Sequence, residues 1–207
     1  MTEEEAKIWL RERFSEACID KLSKFVELLV EENTRQNLIA KSTIAKIWTR
    51  HIVDSAQLLS FVPSETKGSW FDIGSGAGLP GIVIGILDPN RETLLIEPRK
   101  KRGAWLHAVS EDLDLSRCRI VEAKIERLQK EKAGIISARA VMSLTDLVTS
   151  ARPFSTNDTY WILPKGSRAR QELSEASKPI QNMFHVEQSV TDTGAYILVG
   201  KGRGASS

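Results

Sequence analysis

Residues 71–82 read FDIGSGAGLPGI, with four glycines in eight residues, an aspartate before them and a proline among them. Glycine adopts positive φ without strain and lacks the Cβ that would hold a ligand away from the backbone. Pro80 is placed to open a helix, because proline is tolerated in a first helical turn. The stretch therefore predicts a strand, a bare loop and a helix that together cradle a ligand at the carboxyl edge of a sheet.

Short apolar runs alternate with helical patterns from Trp70 onward. This alternation predicts parallel βαβ units in one α/β sheet that helices cover on both faces. Two late apolar stretches, 183–188 and 194–199, predict a closing hairpin at one edge. The predicted strands are 69–73, 93–97, 118–122, 134–138 and 159–163, and the predicted helices between them are 79–87, 100–113, 143–152 and 167–177.

The residues before this alternating region are helical in pattern. Apolar residues recur at helical spacing through residues 3–31, which predicts one long amphipathic helix, and a second helix follows it. We therefore predict a helical extension at 1–66 and an α/β domain at 67–200. The tail 201–207 is basic and rich in glycine, and we expect it to be flexible.

The composition is that of a soluble globular protein, with 207 residues, 41% hydrophobic residues and a net charge of +2. The apolar run 82–87 is too short to span a bilayer, and the chain begins with acidic residues where a secretory signal would be basic. Cys18 and Cys118 lack metal or redox spacing. We therefore expect a cytoplasmic protein that binds neither a membrane nor a metal.

The charge is unevenly distributed along the chain. Residues 1–32 carry nine acidic and five basic side chains, a balance of −4, so the remainder carries +6. This asymmetry hints at an anionic partner for the body of the protein.

The glycine stretch can be read in two registers. GAGLPG at 76–81 matches the dinucleotide-binding fingerprint, which would make the protein a nicotinamide-dependent oxidoreductase. DIGSGAG at 72–78 instead puts a carboxylate at the end of the strand. A pyrophosphate is repelled by a neighbouring anion, whereas S-adenosylmethionine carries an ammonium and a sulfonium and no phosphate, so Asp72 favours S-adenosylmethionine. Glu97, about 20 residues farther along, can accept the ribose hydroxyls of either ligand.

Seven pieces of the sequence carry a family resemblance, and they are NLIAKS at 37–42, RHIVDS at 50–55, FDIGSGAGLPGI at 71–82, LLIEPRKKRGAWL at 94–106, AKIERL at 123–128, SARAV at 137–141 and LPKG at 163–166. On these pieces the chain resembles the glucose-inhibited division protein B family. The resemblance implies a class I S-adenosylmethionine-dependent methyltransferase fold, a Rossmann-like sheet with an N-terminal helical extension. It also implies methyl transfer from S-adenosylmethionine to N7 of a guanine in the decoding-region loop of 16S rRNA, presented as 16S rRNA or a small-subunit particle, and we expect a monomer.

The resemblance also implies roles for individual residues. Arg139 is expected beside the cofactor and the target base, which makes it the candidate catalytic residue. Glu97 stands where the family more usually has aspartate, which keeps the carboxylate but lengthens its reach. From the glycine register and the resemblance together, the predicted cofactor-binding residues are Asp72, Gly74, Gly76, Gly78, Leu79, Glu97, Ile125, Glu126 and Arg139.

The chemistry of the target base shapes what the site needs. Guanine N7 carries a lone pair and no proton, so methyl transfer to it needs no general base, and none of the three histidines lies at the carboxyl end of a predicted strand. Arg139 and Lys165 follow the fourth and fifth predicted strands and can donate to O6 on the same edge of the base. Cations at a helix start are locally unfavourable, so the basic run 99–102 favours phosphate contact. The predicted RNA-binding residues are Lys165, Arg99, Lys100, Lys101 and Arg102, each of which could equally be a solvated surface charge.

Two other functions compete with this interpretation. An oxidoreductase would need a substrate domain, for which little chain remains. A non-catalytic RNA-binding module would not need the intact run of Asp72, the glycines, Glu97 and Arg139. In RHIVDS, His51 is expected to be a packed, hydrogen-bonded histidine, and Arg50 and Asp54 are spaced to form an i,i+4 ion pair.

Overall fold

The computed structural model describes residues 1–129 and 131–204, and it begins with the helical extension. The predicted single helix at 3–31 is wrong, because the helix is interrupted at residues 12–15. Ser15 caps a new helix there by accepting a hydrogen bond from the Cys18 N–H. The extension contains α1 Glu3–Arg11, α2 Glu16–Glu32 and a continuous helical segment at 41–61 made of 3₁₀ turns (Lys41–Lys46, Gln57–Phe61), a π turn (Trp48–Val53) and α3 Asp54–Ala56.

The α/β prediction is confirmed by one seven-stranded sheet with the order β3-β2-β1-β4-β5-β7-β6. The first five strands in this order are parallel, and β7 runs antiparallel to both β5 and β6, so the predicted hairpin closes one edge. The strands are β1 Ser69–Ile73, β2 Thr93–Ile96, β3 Cys118–Val121, β4 Ala133–Ala138, β5 Tyr160–Lys165, β6 Phe184–Gln188 and β7 Tyr196–Lys201.

Helices cover both faces of the sheet. The extension packs with α4 and α5 on one face, where the rings of Phe25 and Trp105 stack with centroids 6.5 Å apart, and α6, α7 and α8 pack on the other. The sequence pattern does not predict α8, a single short helix with proline at its start. The remaining helices are α4 Gly81–Leu87, α5 Lys100–Asp112, α6 Leu144–Ala151, α7 Ala169–Glu175 and α8 Lys178–Met183.

The end of the chain continues the sheet before it reaches the predicted tail. Lys201 is the last residue of β7, and the buried Gly204 donates its N–H to Ser155 Oγ at 2.9 Å. Residues 205–207 of the tail lie outside the described residues. Within residues 1–129 and 131–204, no helix has the length and apolar character that a bilayer crossing requires.

The strand order locates the crevice of the sheet. The order reverses between β1 and β4, because β2 and β3 lie on one side of β1 while β4 and β5 lie on the other. In open α/β sheets, ligands bind beyond the carboxyl ends of the strands at such a switch point. The glycine loop follows β1 and Arg139 follows β4, so both flank this position.

Candidate active site

The loop after β1 is built from three left-handed glycines. Gly74, Gly76 and Gly78 have φ of +72°, +54° and +90°, which residues with a Cβ rarely adopt. The loop folds back on itself, since Ser75 Oγ donates to the Asp72 carbonyl at 2.9 Å and the Gly78 N–H donates to the Ser75 carbonyl at 2.7 Å. The helix that follows begins one residue after Pro80, which occupies the N-cap position instead of the first turn.

The glycines of the loop differ in what surrounds them. A Cβ built on Gly76 has its nearest neighbours at 3.6 Å, an ordinary contact distance. Gly76 is therefore the loop glycine at which an added Cβ would fit without overlap, although the residue itself is buried, while the other glycines make room for the protein's own side chains. A Cβ on each of the others comes within 2.5–2.7 Å of a side chain: Gly74 with Val141, Gly78 with Ile82, and Gly81 with Asp72.

Asp72 lies beneath the loop. Its side chain is buried, with the residue 1% exposed, and its two carboxylate oxygens accept hydrogen bonds from the Gly81 N–H at 3.0 Å and from Ser137 Oγ at 2.9 Å. Trp70 Nε1 donates to the same Ser137 hydroxyl at 2.8 Å. Burial raises the pKa of Asp72 to about 6. The sequence predicts that this carboxylate lies against the cofactor, and in the structure its two hydrogen bonds join the end of β1 to β4 and to the start of α4.

Glu97 connects the glycine loop to the next helix. The residue is 3% exposed, one carboxylate oxygen accepts from the Gly76 N–H at 2.9 Å, and the other accepts from the Arg99 N–H at 2.9 Å. A carboxylate oxygen can accept a second hydrogen bond, so the predicted contact with ribose hydroxyls remains compatible with these two. Leu79 and Ile125 are buried in the loops that follow β1 and β3, and they belong to different hydrophobic clusters.

Arg139 follows β4 and contacts the helical extension. The sequence does not predict this contact. Its Nη1 lies 3.4 Å from His51 Nδ1 and 3.6 Å from Asp54 Oδ2, and its side chain is 22% exposed. Burial lowers the pKa of Arg139, and the charges of Asp54 and Asp72 partly offset this by stabilising the guanidinium. The Arg50–Asp54 ion pair is wrong as a prediction, because Arg50 instead pairs with Asp192 at 2.7 Å.

A cleft of about 500 Å³, here called the Arg139 cleft, gathers four of the sequence pieces on which the resemblance rests. Lys165 is the last residue of β5 and lies in the cleft wall, where its Nζ contacts Glu172 Oε1 at 2.9 Å. Arg139 and Lys165, the two predicted donors to guanine O6, thus line the same space. The residues that the four pieces contribute are Leu38 and Ile39, then Arg50, His51 and Asp54, then Arg139 and Ala140, and finally Pro164, Lys165 and Gly166.

Comparison with known proteins identifies the family. The family model GidB, described as rRNA small subunit methyltransferase G, matches residues 18–197. The chain belongs to the GidB family. Ribosomal RNA small subunit methyltransferase G of Erythrobacter litoralis is 46% identical over 202 residues, covering 98% of this chain and 97% of that one. The enzyme of the same name from Sphingopyxis alaskensis is 47% identical and covers 97% and 87%. These relatives support neither the oxidoreductase nor the non-catalytic module.

Solved structures share the fold of this GidB-family chain. Precorrin-6y C5,15-methyltransferase from Geobacter metallireducens superposes with a TM-score of 0.55 at 14% identity, over 81% of this chain and 92% of that one. A mutant of MtNAS in complex with S-adenosylmethionine gives a TM-score of 0.55 at 14% identity, over 88% and 75%. At such identity the likeness concerns the fold alone, and it confirms the class I methyltransferase architecture.

The GidB-family motif RHIVDS supplies a neutral histidine to the cleft. Thr43 Oγ1 donates its hydrogen to the Ala40 carbonyl at 2.7 Å, so it accepts from His51 Nε2, which lies 2.8 Å away. His51 Nδ1 is then the lone-pair side and can accept from Arg139. Burial and the charges of Arg139 and Arg50 lower the pKa of His51 to about 3.

The lowered pKa of His51 predicts that the stability of the fold depends on pH. The unfolded chain protonates His51 below its ordinary pKa of about 6.5, whereas the folded chain keeps it neutral, so its contribution is complete above that pH and decreases as the pH falls towards 3. Between pH 7 and pH 5, the unfolding free energy of the wild type should fall by about 2 kcal/mol more than that of His51→Gln. Urea denaturation at several pH values measures this, with the exposed His185→Gln as control. Equal pH profiles for all three proteins would contradict it.

The basic run lies at the start of α5. Arg99 is the N-cap residue and Lys100, Lys101 and Arg102 form the first turn, with the first three residues exposed. Arg102 is half-buried, and its Nη1 is the 3.6 Å neighbour of the Cβ built on Gly76. Among residues 1–129 and 131–204, none of the four side chains has an ion-pair partner. The four cations are therefore available to an external anion.

The described part of the chain shows no arrangement suited to a metal. Within it, no group of three or more histidine, cysteine, aspartate or glutamate side chains comes together as a ligand set.

Glu126, the last predicted cofactor contact, is exposed in the 3₁₀ turn Ile125–Arg127 after β3, at the same edge of the sheet as the glycine loop.

Proposed function

We propose that this protein transfers a methyl group from S-adenosylmethionine to N7 of a guanine in the decoding-region loop of 16S rRNA. The observation that carries the proposal is the pairing of two features at one switch point, the left-handed glycine loop after β1 and the Arg139 cleft beyond β4. The family membership supports an rRNA substrate. We place the activity in the cytoplasm, on a monomer that acts on 16S rRNA or a small-subunit particle.

The residues around the loop suit a cationic donor. The Gly76 N–H donates to Glu97, and the Glu97 carboxylate keeps lone pairs for ribose hydroxyls. Asp72 places a carboxylate below the loop, which is favourable for a nearby cation and unfavourable for a pyrophosphate. Leu79 and Ile125 provide buried apolar surface in the flanking loops. When bound, S-adenosylmethionine supplies an activated methyl group on its sulfonium.

The residues of the Arg139 cleft suit a guanine. N7 has a lone pair, so the protein must orient the base and exclude water and need not remove a proton. Arg139 has five N–H donors, of which Nη1 faces His51 and Asp54, so other donors remain for guanine O6. Because His51 is neutral and accepts from Arg139, it orients the guanidinium without adding a competing positive charge.

Mass spectrometry of 16S rRNA tests the function. Cells that lack this protein should lack 7-methylguanosine in the decoding-region loop, and expression of the protein should restore it. Calorimetry should detect binding of S-adenosylmethionine and no binding of NAD. Restoration of a different modified base, or NAD binding without S-adenosylmethionine binding, would refute the proposal.

The basic run should contribute to RNA affinity through phosphates. Reversing the charges of Lys100 and Lys101 to glutamate should weaken RNA binding and reduce the slope of log affinity against log salt by about 1 to 2, because each phosphate contact releases counterions. The matched control reverses Lys67 and Lys132, which are exposed just before the amino ends of β1 and β4, opposite the crevice. Filter binding at several salt concentrations gives the slopes. The same slope in both double variants would exclude phosphate contact by the run.

A further inference from the structure

A second groove of about 550 Å³, here called the outer groove, opens beside the Arg139 cleft. Thr43 and Arg50 line both spaces, so the outer groove is continuous with the cleft. One wall is the helical segment 41–50 of the extension, and the other is the turn 189–193 between β6 and β7. Neither the cofactor loop nor the basic run of α5 contributes to this groove.

The turn that forms the second wall is held firmly at its base. The side-chain amide of Gln57 donates to Ser189 Oγ at 3.0 Å and accepts from the Val190 N–H at 2.9 Å, and Gln57 is buried. Thr191 Oγ1 donates to Asp54 Oδ1 at 3.2 Å. Since Asp54 also faces Arg139, the outer groove and the cleft share one supporting carboxylate.

A weaker contact joins the two walls of the outer groove. Arg50 Nη1 meets Asp192 Oδ2 at 2.7 Å, and the two side chains are 45% and 43% exposed. An ion pair this exposed contributes little to stability, because water and salt screen it and both side chains lose freedom. Arg50 can therefore exchange Asp192 for another anion at small cost.

The lining chemistry fits a ribose–phosphate chain. The cations Lys46 and Arg50 can meet phosphates, while the hydroxyls of Ser42 and Thr193 can meet ribose 2′-OH groups. Val190 is 48% exposed at the turn and offers an apolar surface to a base. Asp192 is the one carboxylate among these lining residues, and Arg50 neutralises it.

We propose that the outer groove binds the RNA backbone next to the target guanine, and that Arg50 exchanges Asp192 for a backbone phosphate when RNA binds. The proposal rests on the proposed function, because a cleft that takes one base requires the adjoining nucleotides to leave through a neighbouring opening. The groove makes this opening, with the charge and hydroxyl groups that single-stranded RNA recognition uses.

Two variants should shift RNA affinity in opposite directions. Lys46→Glu should raise KM for small ribosomal subunits about tenfold with kcat and S-adenosylmethionine affinity unchanged, because Lys46 lines the outer groove and not the cleft. Asp192→Asn should lower KM about threefold, because Arg50 is released while the asparagine oxygen can still accept from the Gly194 N–H as Asp192 does at 2.8 Å. A purely structural role of the Arg50–Asp192 pair would not produce this gain. The matched control, Lys67→Glu, should leave KM unchanged.

The experiment uses small ribosomal subunits from cells that lack the modification, together with deproteinised 16S rRNA in filter binding. Wild-type protein that fails to methylate the subunits would refute the proposed function, and the filter-binding affinities would still decide the groove. Equal KM values for Lys46→Glu and Lys67→Glu would overturn the groove proposal alone. A KM for Asp192→Asn that is no lower than that of the wild type would do the same. An effect of Lys46→Glu on subunits but not on deproteinised 16S rRNA would also overturn it, because the occupant would then be a ribosomal protein.

Discussion

Arg139→Ala is expected to reduce kcat/KM for methyl transfer to small ribosomal subunits by at least about 100-fold while S-adenosylmethionine still binds. The expected loss follows from the position of the guanidinium, which is largely buried just after β4 and lines the same cleft as Lys165. A preorganised donor aimed at a reacting group in a water-poor site is worth about two to three orders of magnitude in rate. Methylation assays with purified subunits measure the effect directly.

Loss of the guanidinium also affects the protein itself, so controls must separate folding from function. Without Arg139, Asp54 remains partly buried with hydrogen bonds from Thr191 and Gln57, and an uncompensated charge there destabilises the fold. The double variant Arg139→Ala/Asp54→Asn removes that charge. It should regain thermal stability relative to the single variant without regaining activity.

Two further variants make the result specific to Arg139. Arg139→Lys keeps the positive charge but loses the planar, forked set of donors, so it should remain at least tenfold below wild type. Arg117→Ala removes an exposed arginine just before the amino end of β3, opposite the crevice, and should keep full activity. Full activity in Arg139→Ala would exclude the assigned role.

The elements of the fold follow from local pattern in the sequence. Strands and helices of the sheet depend on the spacing of apolar residues, which is visible within ten or fifteen positions, and the predicted strands from β1 to β5 match to within two residues. The break between α1 and α2 is missed for the same reason, because apolar spacing continues on both sides of Ser15. The signal for the break is the capping serine and not the apolar pattern.

The glycine loop contains a residue, Asp72, whose position can be predicted from the sequence but whose contacts cannot. The sequence places Asp72 at the end of a strand, but it does not say whether the carboxylate faces a ligand or the protein. The first N–H groups of a helix need acceptors, and Asp72 supplies one to Gly81 at the start of α4. An acidic residue at a strand end followed by a helix start nine positions on is the signal that could have indicated this role.

The Arg139 cleft depends on contacts that no local pattern contains. Arg139 and His51 are 88 residues apart in the chain, and their meeting requires the extension to fold across the end of the sheet. RHIVDS looks internally complete because Arg50 and Asp54 have helical i,i+4 spacing, yet each finds its partner elsewhere. Only the packing of the extension against β4 and the β6–β7 turn assigns these charges.

Gly81→Ala is expected to lower the unfolding free energy by about 2–6 kcal/mol and to weaken S-adenosylmethionine binding at least tenfold. A Cβ at this position would lie 2.7 Å from Asp72 Oδ2 and 3.0 Å from Leu95 Cγ. Neither neighbour can move freely, since both are fully or almost fully buried and Asp72 also accepts from Ser137. Overpacking of this kind costs about 1–3 kcal/mol, and losing a hydrogen bond to a buried carboxylate costs a further 1–3 kcal/mol.

The effect on the cofactor follows from the same contact. The Gly81 N–H bond to Asp72 fixes the start of α4 against β1, and the loop between them contains Gly76. If the added methyl group pushes α4 away, the Gly76 N–H also moves relative to Glu97, which accepts from it at 2.9 Å. Both walls of the predicted cofactor site then shift together, so stability and binding should fall in parallel.

Gly166→Ala is the matched control for this variant. A Cβ at Gly166 meets nothing within 4 Å, and its backbone does not require left-handed geometry, so the change should alter the unfolding free energy by no more than about 0.5 kcal/mol. Thermal denaturation and calorimetry with S-adenosylmethionine on the three proteins give both quantities. If Gly81→Ala unfolded at the wild-type temperature and bound the cofactor with wild-type affinity, Asp72 would not be the anchor of the glycine loop, because a methyl group at 2.7 Å cannot leave that anchor in place.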